Sequence, residues 1–206
     1  FDLCLIPEHD GVKPRDNVIQ TMGVLNRIPL SVQQKKQQGI ILVGGPSRHY
    51  GWDDASLLDQ LKSIVEATPE ISWLVSDSRR TPEYTSMGIA SLDYDNMTFQ
   101  SCQTVSPEWL PTVLAESRYA WVTEESVSMV YEALTAQAAV GLLYVPKIKN
   151  SRVSKGITAL IEAGYVIPFS QWKKHPVLEV MAQMQNEADR CAGEIVNKFD
   201  LDKGSL

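Results

Sequence analysis

The chain has 206 residues, of which 44% are hydrophobic and 21% charged, with a net charge of −6; this fits one globular domain with an appendage rather than two full domains. No apolar run reaches the ~18 residues of a transmembrane helix, no basic, apolar leader opens the chain, and an acidic balance without a long basic run argues against non-specific nucleic-acid binding. The three cysteines, Cys4, Cys102 and Cys191, are far apart and form no C-x-x-C, which argues against a structural zinc site or a disulfide framework; reduced thiols fit a cytoplasmic protein, with peripheral attachment to a membrane left open.

Residues 1–6, Phe1-Asp2-Leu3-Cys4-Leu5-Ile6, are an apolar run closed by Pro7, the pattern of a buried strand. The chain opens inside this run and without Met, so residues 1–30 are read as the remnant of a larger N-terminal domain. Residues 8–17 are polar, and residues 24–28 are expected to form another short strand. Residues 31–39 carry no periodicity and read as an interdomain linker. Residues 40–206 form the second domain. Ile40-Ile41-Leu42-Val43 predicts a buried parallel strand ending at the tight turn Gly44-Gly45. Leu57, Leu58, Leu61, Ile64 and Val65 have helical spacing behind Asp53-Asp54. Residues 71–75 predict a strand, and Thr81-Pro82-Glu83 a helix start with Thr81 as N-cap. A strand at 97–102, a helix at 107–116 and a strand at 119–122 follow. Val127, Val130, Tyr131, Leu134 and Ala138 fall on one helical face, residues 141–145 predict a strand stopped by Pro146, and residues 153–163 a helix ending at Gly164. This alternation predicts an α/β fold: a doubly wound, mainly parallel Rossmann-like sheet. Residues 177–199 predict a long helix with the stripe Val177, Met181, Met184, Ala188, Cys191 and Ile195, expected to pack against the sheet of its own domain, with a dimer or partner seam as the alternative.

In an open α/β sheet ligands lie at the carboxyl ends of the strands, so the chemistry is sought in the loops that follow them. Gly44-Gly45-Pro46-Ser47-Arg48-His49 combines glycines that let backbone N–H groups approach a phosphate with the donors Ser47 and Arg48. It is neither G-x-G-x-x-G nor a Walker loop. Arg79 and Arg80, in the loop before the next helix, are placed to clamp a diphosphate, against a reading as a solvated, salt-bridged loop. In Thr123-Glu124-Glu125-Ser126-Val127-Ser128, followed by Glu132, the residues Glu125, Ser128 and Glu132 line one polar helix face. Ser126 and Ser128 are candidates for a phosphate and Glu132 for both ribose hydroxyls. Glu124 and Glu125 pull the other way: in a first helical turn they complement the dipole and repel a phosphate. His9 lies between Glu8 and Asp10, where neighbouring carboxylates favour its charged form, and is the candidate proton shuttle. His175 reads as a surface residue, and neither G-x-S-x-G nor H-E-x-x-H is present.

Pro7-Glu8-His9-Asp10, Thr21-x-Gly23, the run from Gly44 to Asp53, Ser78-Arg79-Arg80-Thr81-Pro82, the run from Val122 to Met129, and Pro168-Phe169 together resemble the mitochondrial-fission "elongated mitochondria" family, whose bacterial members are labelled predicted nucleoside-diphosphate-sugar epimerases. The pattern usually has Asp where this chain has Glu125, and Gly-Lys-Pro where it has Gln137-Ala138-Ala139-Val140. Family members are longer at the N-terminus. The resemblance implies a GT-B-like architecture of two facing Rossmann-like domains, with Glu132 matching the ribose-binding glutamate of that superfold.

The resulting expectation is the nucleoside-diphosphate-sugar-binding half of a glycosyltransferase or sugar epimerase, inactive alone because a cleft needs both walls. Its substrate is a nucleotide sugar, with an unknown acceptor, no cofactor and no metal; Asp93-Tyr94-Asp95 fits D-x-D literally but reads as a turn. The alternative is a non-catalytic adaptor, as in the plant relatives that recruit a dynamin-like fission protein.

Overall fold

A computed structural model describes residues 1–29, 36–179, 184 and 186–200, with the side chains of His9 and Lys36 outside the described part. Two short strands, β1 (Cys4–Pro7) and β2 (Val18–Thr21), pair in parallel and flank a 3-10 turn at Glu8–Asp10. Then follow β3 (Lys36–Leu42), α1 (Asp54–Ala67), β4 (Ser72–Ser76), α2 (Glu83–Ala90), β5 (Met97–Phe99), α3 (Trp109–Glu116), β6 (Ser117–Thr123), α4 (Val127–Thr135), β7 (Ala139–Leu143), α5 (Arg152–Glu162), β8 (Val166–Pro168), α6 (Phe169–Trp172) and α7 (Glu187–Lys198).

Strands β3 to β8 form one six-stranded sheet in the order β5-β4-β3-β6-β7-β8, every neighbouring pair parallel. The chain starts in the middle, winds outward to β5, crosses back beside β3 and winds outward the other way. This is the doubly wound Rossmann order, and its switch point falls between β3 and β6. Alternation along the strands divides the core in two, because successive side chains leave opposite faces. Ile40 and Leu42 join Val122, Val140, Leu142 and the buried faces of α3, α4 and α5; Ile41 and Val43 join Val75, Trp121, Leu143 and the buried faces of α1, α2 and α6.

Several expectations shift. Strand β3 begins at Lys36, so residues 36–39 of the expected linker belong to the sheet, and residues 31–35 lie outside the described part. The strand expected at 24–28 is absent; the strand of that segment is β2, where Ile19 and Thr21 are buried and alternate with half-buried neighbours. Residues 177–179 are not helical; residues 180–183 and 185, Met181 among them, lie outside the described part, and α7 begins only at Glu187, behind the N-cap Asn186, whose side chain accepts from the amides of Ala188 and Asp189. Among the described residues, the element α7 meets most is β2 and not a strand of the large sheet. Arg190 donates to the carbonyl of Gln20 at 2.7 Å and pairs with Glu187 at 2.7 Å, which itself accepts from the amide of Met22 at 2.9 Å. The last helix therefore grips the β2 segment, and the Arg190 hydrogen bond holds the Glu187 carboxyl below its usual range.

Strand β7 shows how closely the sheet and helix layers fit. Gly141 lies beside Trp121 of β6 in register. A Cβ there would stand 2.4 Å from the indole, which is wedged edge-on against Phe169 (6.1 Å between centroids) and Trp172 (5.3 Å) of α6. Gly141→Ala is expected to destabilise the fold by about 1–3 kcal/mol, as overpacking does. A urea titration followed by circular dichroism measures it, and an unchanged midpoint would contradict this packing.

Candidate functional site

Parallel strands deliver all their following loops to one edge, and at the switch point those after β3 and β6 diverge toward opposite faces. Val43 extends β3 by one hydrogen bond to Ser76, and the chain then turns at Gly44-Gly45. These glycines are needed for closeness. A Cβ on Gly44 would stand 1.8 Å from a carboxylate oxygen of Glu125, and one on Gly45 would stand 2.1 Å from the backbone oxygen of Arg80.

Glu125 holds the meeting point. Its side chain is fully buried, and Oε1 accepts from the Gly45 amide (2.9 Å), the Ser126 hydroxyl (2.9 Å) and the Thr123 hydroxyl (3.2 Å). The guanidinium of Arg80 lies 3.5 Å from the same oxygen; it donates to the Gly45 carbonyl at 3.0 Å and to Ser126 Oγ at 2.9 Å. Thr123 Oγ1 takes the Gly44 amide at 2.8 Å. Thr81 caps no helix: its hydroxyl reaches the carbonyls of Val43 and Gly44, and Pro82 is the N-cap position of α2. In this structure the two glycine amides are thus turned toward protein acceptors, and Arg80 is a tie between three loops.

The first-turn role of Glu124 and Glu125 is also corrected, because α4 begins at Val127 and both acids precede it. Glu124 accepts from the Val145 amide at 3.2 Å and faces Lys147 at 3.7 Å; burial raises its pKa, and these two partners oppose the rise. Glu125 leaves the expected polar face, on which Ser128 and Glu132 remain one turn apart. The N-cap residue of α4, Ser126, makes no side-chain cap bond, so the positive helix end opens without one.

This end opens into a cleft of about 650 Å³ lined by Asp77, Arg79, Arg80, Ser126, Ser128 and Met129, closed on the far side by Cys102, Val105, Trp109 and Leu110. Among the described residues the exposed Arg79 guanidinium makes no hydrogen bond or ion pair. The far wall was not anticipated, although the rule that every loop after a parallel strand opens on one edge applies equally to the loop after β5. That loop is anchored by buried Asp77, which accepts from the Cys102 amide at 2.7 Å and the Ser86 hydroxyl at 2.8 Å.

The remaining candidates lie elsewhere. Ser47 turns inward and accepts from the amides of His49 (3.2 Å) and Tyr50 (3.3 Å), bracing its own loop, while Arg48 is exposed. Backbone hydrogen bonds from Gly51 to Pro146 and from Ile148 to His49 knit this loop to the one after β7. His9 sits in the 3-10 turn after β1, which packs against α5, with Asp10 3.9 Å from Arg152. Asp93-Tyr94-Asp95 precedes β5 and therefore lies at the opposite edge of the sheet. Among the described residues, no helix is long and apolar enough to cross a membrane.

The Glu132 side chain is half-buried, its carboxyl makes no hydrogen bond or ion pair among the described residues, and burial pushes that carboxyl above the ordinary range. A raised folded-state pKa means that ionising Glu132 opposes folding once the pH passes the ordinary carboxylate range. Glu132→Gln is expected to be more stable than the parent near pH 7, by up to about 1 kcal/mol or ~2–4 °C in Tm. The gain should vanish at acid pH, where both states are protonated. Thermal melts at the two pH values check this, and a Gln variant of lower stability at pH 7 would contradict it.

A family model described as mitochondrial fission ELM1 matches residues 1–199. No curated protein matches the chain. Among solved structures, a Listeria monocytogenes protein described as a candidate UDP-N-acetylglucosamine 2-epimerase aligns with a TM-score of 0.54 at 12% identity, over 81% of this chain and 46% of that one. The UDP-GlcNAc 2-epimerase of Neisseria meningitidis, in a structure bound to UDP-GlcNAc, aligns with a TM-score of 0.51 at 16% identity, over 78% of this chain and 45% of that one. The chain spans about half the length of these structures, and at such identities the likeness is one of fold: a GT-B-like, Rossmann-type domain.

Proposed function

The chain belongs to the mitochondrial fission ELM1 family, and we propose that it binds a nucleoside-diphosphate sugar at the carboxyl edge of its parallel sheet, as one wall of a glycosyltransferase or sugar-epimerase site. One observation carries the reading. The N-terminus of α4 opens into the switch-point cleft without a side-chain cap, beside an arginine, Arg79, that has no partner among the described residues. A helix end and a guanidinium together favour an anion with several oxygens, and a diphosphate has them. The UDP-GlcNAc held by the Neisseria structure of this fold supports the ligand class.

The proposed roles follow from position. Arg79, Ser128 and the α4 amides hold the diphosphate, with Arg80 and Ser126 beside them and Gly44, Gly45, Ser47 and Arg48 shaping the adjoining turn. Glu132, one turn further along α4, takes the ribose hydroxyls; its unmatched, half-buried carboxyl is a stability cost that a ligand would offset. As a glycosidic C–O bond breaks, charge grows on the departing diphosphate, and fixed dipoles with a guanidinium stabilise it. His9 is proposed as the proton carrier at the facing wall. No cofactor is required by this scheme, and the acceptor is left unassigned.

Calorimetric titration with UDP, GDP and the parent nucleosides tests the proposal. Saturable binding of a diphosphate is expected. Arg79→Ala should weaken it about ten- to hundred-fold, the worth of a charge-assisted hydrogen bond, and leave the nucleoside unaffected. Glu132→Ala should weaken nucleoside and diphosphate alike, because the ribose is common to both. A folded protein that binds none of these ligands would instead favour an adaptor role.

A further inference from the structure

We propose that Arg80 and Glu125 are positioning residues that hold the Ser126 hydroxyl off the N-terminus of α4 and so keep that helix end open to an anion. The inference rests on the diphosphate reading above, but half of its test needs no ligand.

Serine is among the best N-cap residues, because its oxygen accepts from the amide two or three positions ahead. The other long helices with a suitable residue in that place use it. Asp53 accepts from the Ser56 amide at 3.0 Å for α1, Ser151 from the Ser154 amide at 3.2 Å for α5, and Asn186 from Ala188 and Asp189 for α7. Ser126 stands in the same place before α4 and does not. Its hydroxyl proton goes to Glu125 Oε1 at 2.9 Å, and its oxygen receives Arg80 Nη2 at 2.9 Å. Its backbone follows, at φ −93°, ψ 66°, whereas Ser151 is extended at φ −141°, ψ 171°.

The arrangement has a cost. Glu125 is buried with Oε2 unpartnered, and a buried carboxylate with a free oxygen is unfavourable. Its neighbour Tyr50 is likewise buried with an unpartnered hydroxyl, and its phenol is pushed up by burial first and then by the charges of Glu124 and Glu125. The gain is a helix end without a side-chain cap beside the cleft that Ser126, Ser128 and Met129 line.

The relay separates two arginines that stand side by side. Arg79 is the one free to meet a ligand, and Arg80 acts through Ser126. Releasing Arg80 leaves the hydroxyl held by the Glu125 bond alone, from which it swings onto its own helix, and the protein then occupies its own anion site.

Backbone amide exchange by NMR, without ligand, tests the relay. In Arg80→Ala the Ser128 and Met129 amides should exchange about fivefold more slowly, the worth of one cap bond. In Arg80→Ala/Ser126→Ala they should return to the parental rate, since no hydroxyl remains to cap. Titration with inorganic pyrophosphate gives the second reading: Arg80→Ala should bind more weakly than the parent, and the double variant should recover part of the loss. If Arg80→Ala does not fold, Arg80→Lys keeps the charge, loses the fork between Gly45 and Ser126, and should slow the same two amides. Unchanged exchange in the folded Arg80 variant, or a double variant that binds no better than the single one, overturns the relay and leaves Arg80 as a direct ligand or a simple brace. A parent protein that binds no pyrophosphate overturns the anion reading itself, whichever way the amides behave.

Discussion

One oxygen atom fixes the working edge of this protein. Oε1 of Glu125 gathers an amide from the loop after β3 and two hydroxyls from the end of β6, with the Arg80 guanidinium from the loop after β4 beside it. Strands β3 and β6 are neighbours, yet the chain leaving one covers the opposite face from the chain leaving the other. The crevice between them would be polar backbone with nothing to bond, and buried backbone groups without partners are unfavourable. Glu125 fills its floor with an acceptor, and the glycines at 44 and 45 let the loops come near enough to use it. The placement of Arg80 and of the Ser126 hydroxyl rests on that contact.

The sheet was legible in the sequence because its strands are buried on both faces. Ile40 to Val43 and Ala120 to Val122 read as unbroken apolar runs, and β-branched residues between glycine and proline signals leave little choice. The parallel, doubly wound class followed from the alternation, while the strand order came only from the pairing. Edges were harder. β8 is three residues long, and its Val166-Ile167-Pro168 carries too little pattern to stand out. Residues 36–39 look like linker because Lys36-Gln37-Gln38 is polar, and only pairing with β4 and β6 makes them a strand.

The site was legible as a place and not as a set of roles. Loops after parallel strands converge by topology, so naming the Gly44 turn, the Arg79-Arg80 loop and Ser126 required only the strand positions. The division of labour among them depends on contacts between residues far apart in the chain, which periodicity does not encode. Glu125 and Gly45 are eighty positions apart, and Arg79 and Arg80 differ only in which way the turn points them. Glycine pairs serve both close anion approach and close chain approach, and here the second use is visible in the carboxylate and backbone oxygens that stand where a Cβ would be. Thr81 shows the same ambiguity, since a hydroxyl before Pro-Glu fits a helix cap equally well as the loop brace it proves to be.

The grip of α7 on β2 bears on how such a cleft can move. The β1–β2 pair is joined to the large sheet by the chain that runs from Gly23 into β3, and again through Arg190 and Glu187 on a helix that follows the sheet in sequence. The pair is also held by the 3-10 turn against α5, by Asn26 Nδ2 donating to Thr135 Oγ1 at 3.0 Å, and by Ile28, which is buried in the core beside Ile40 and Val122. With contacts at several separated points, before the sheet and after it in the chain, no two of them serve alone as an axis for the β1–β2 pair.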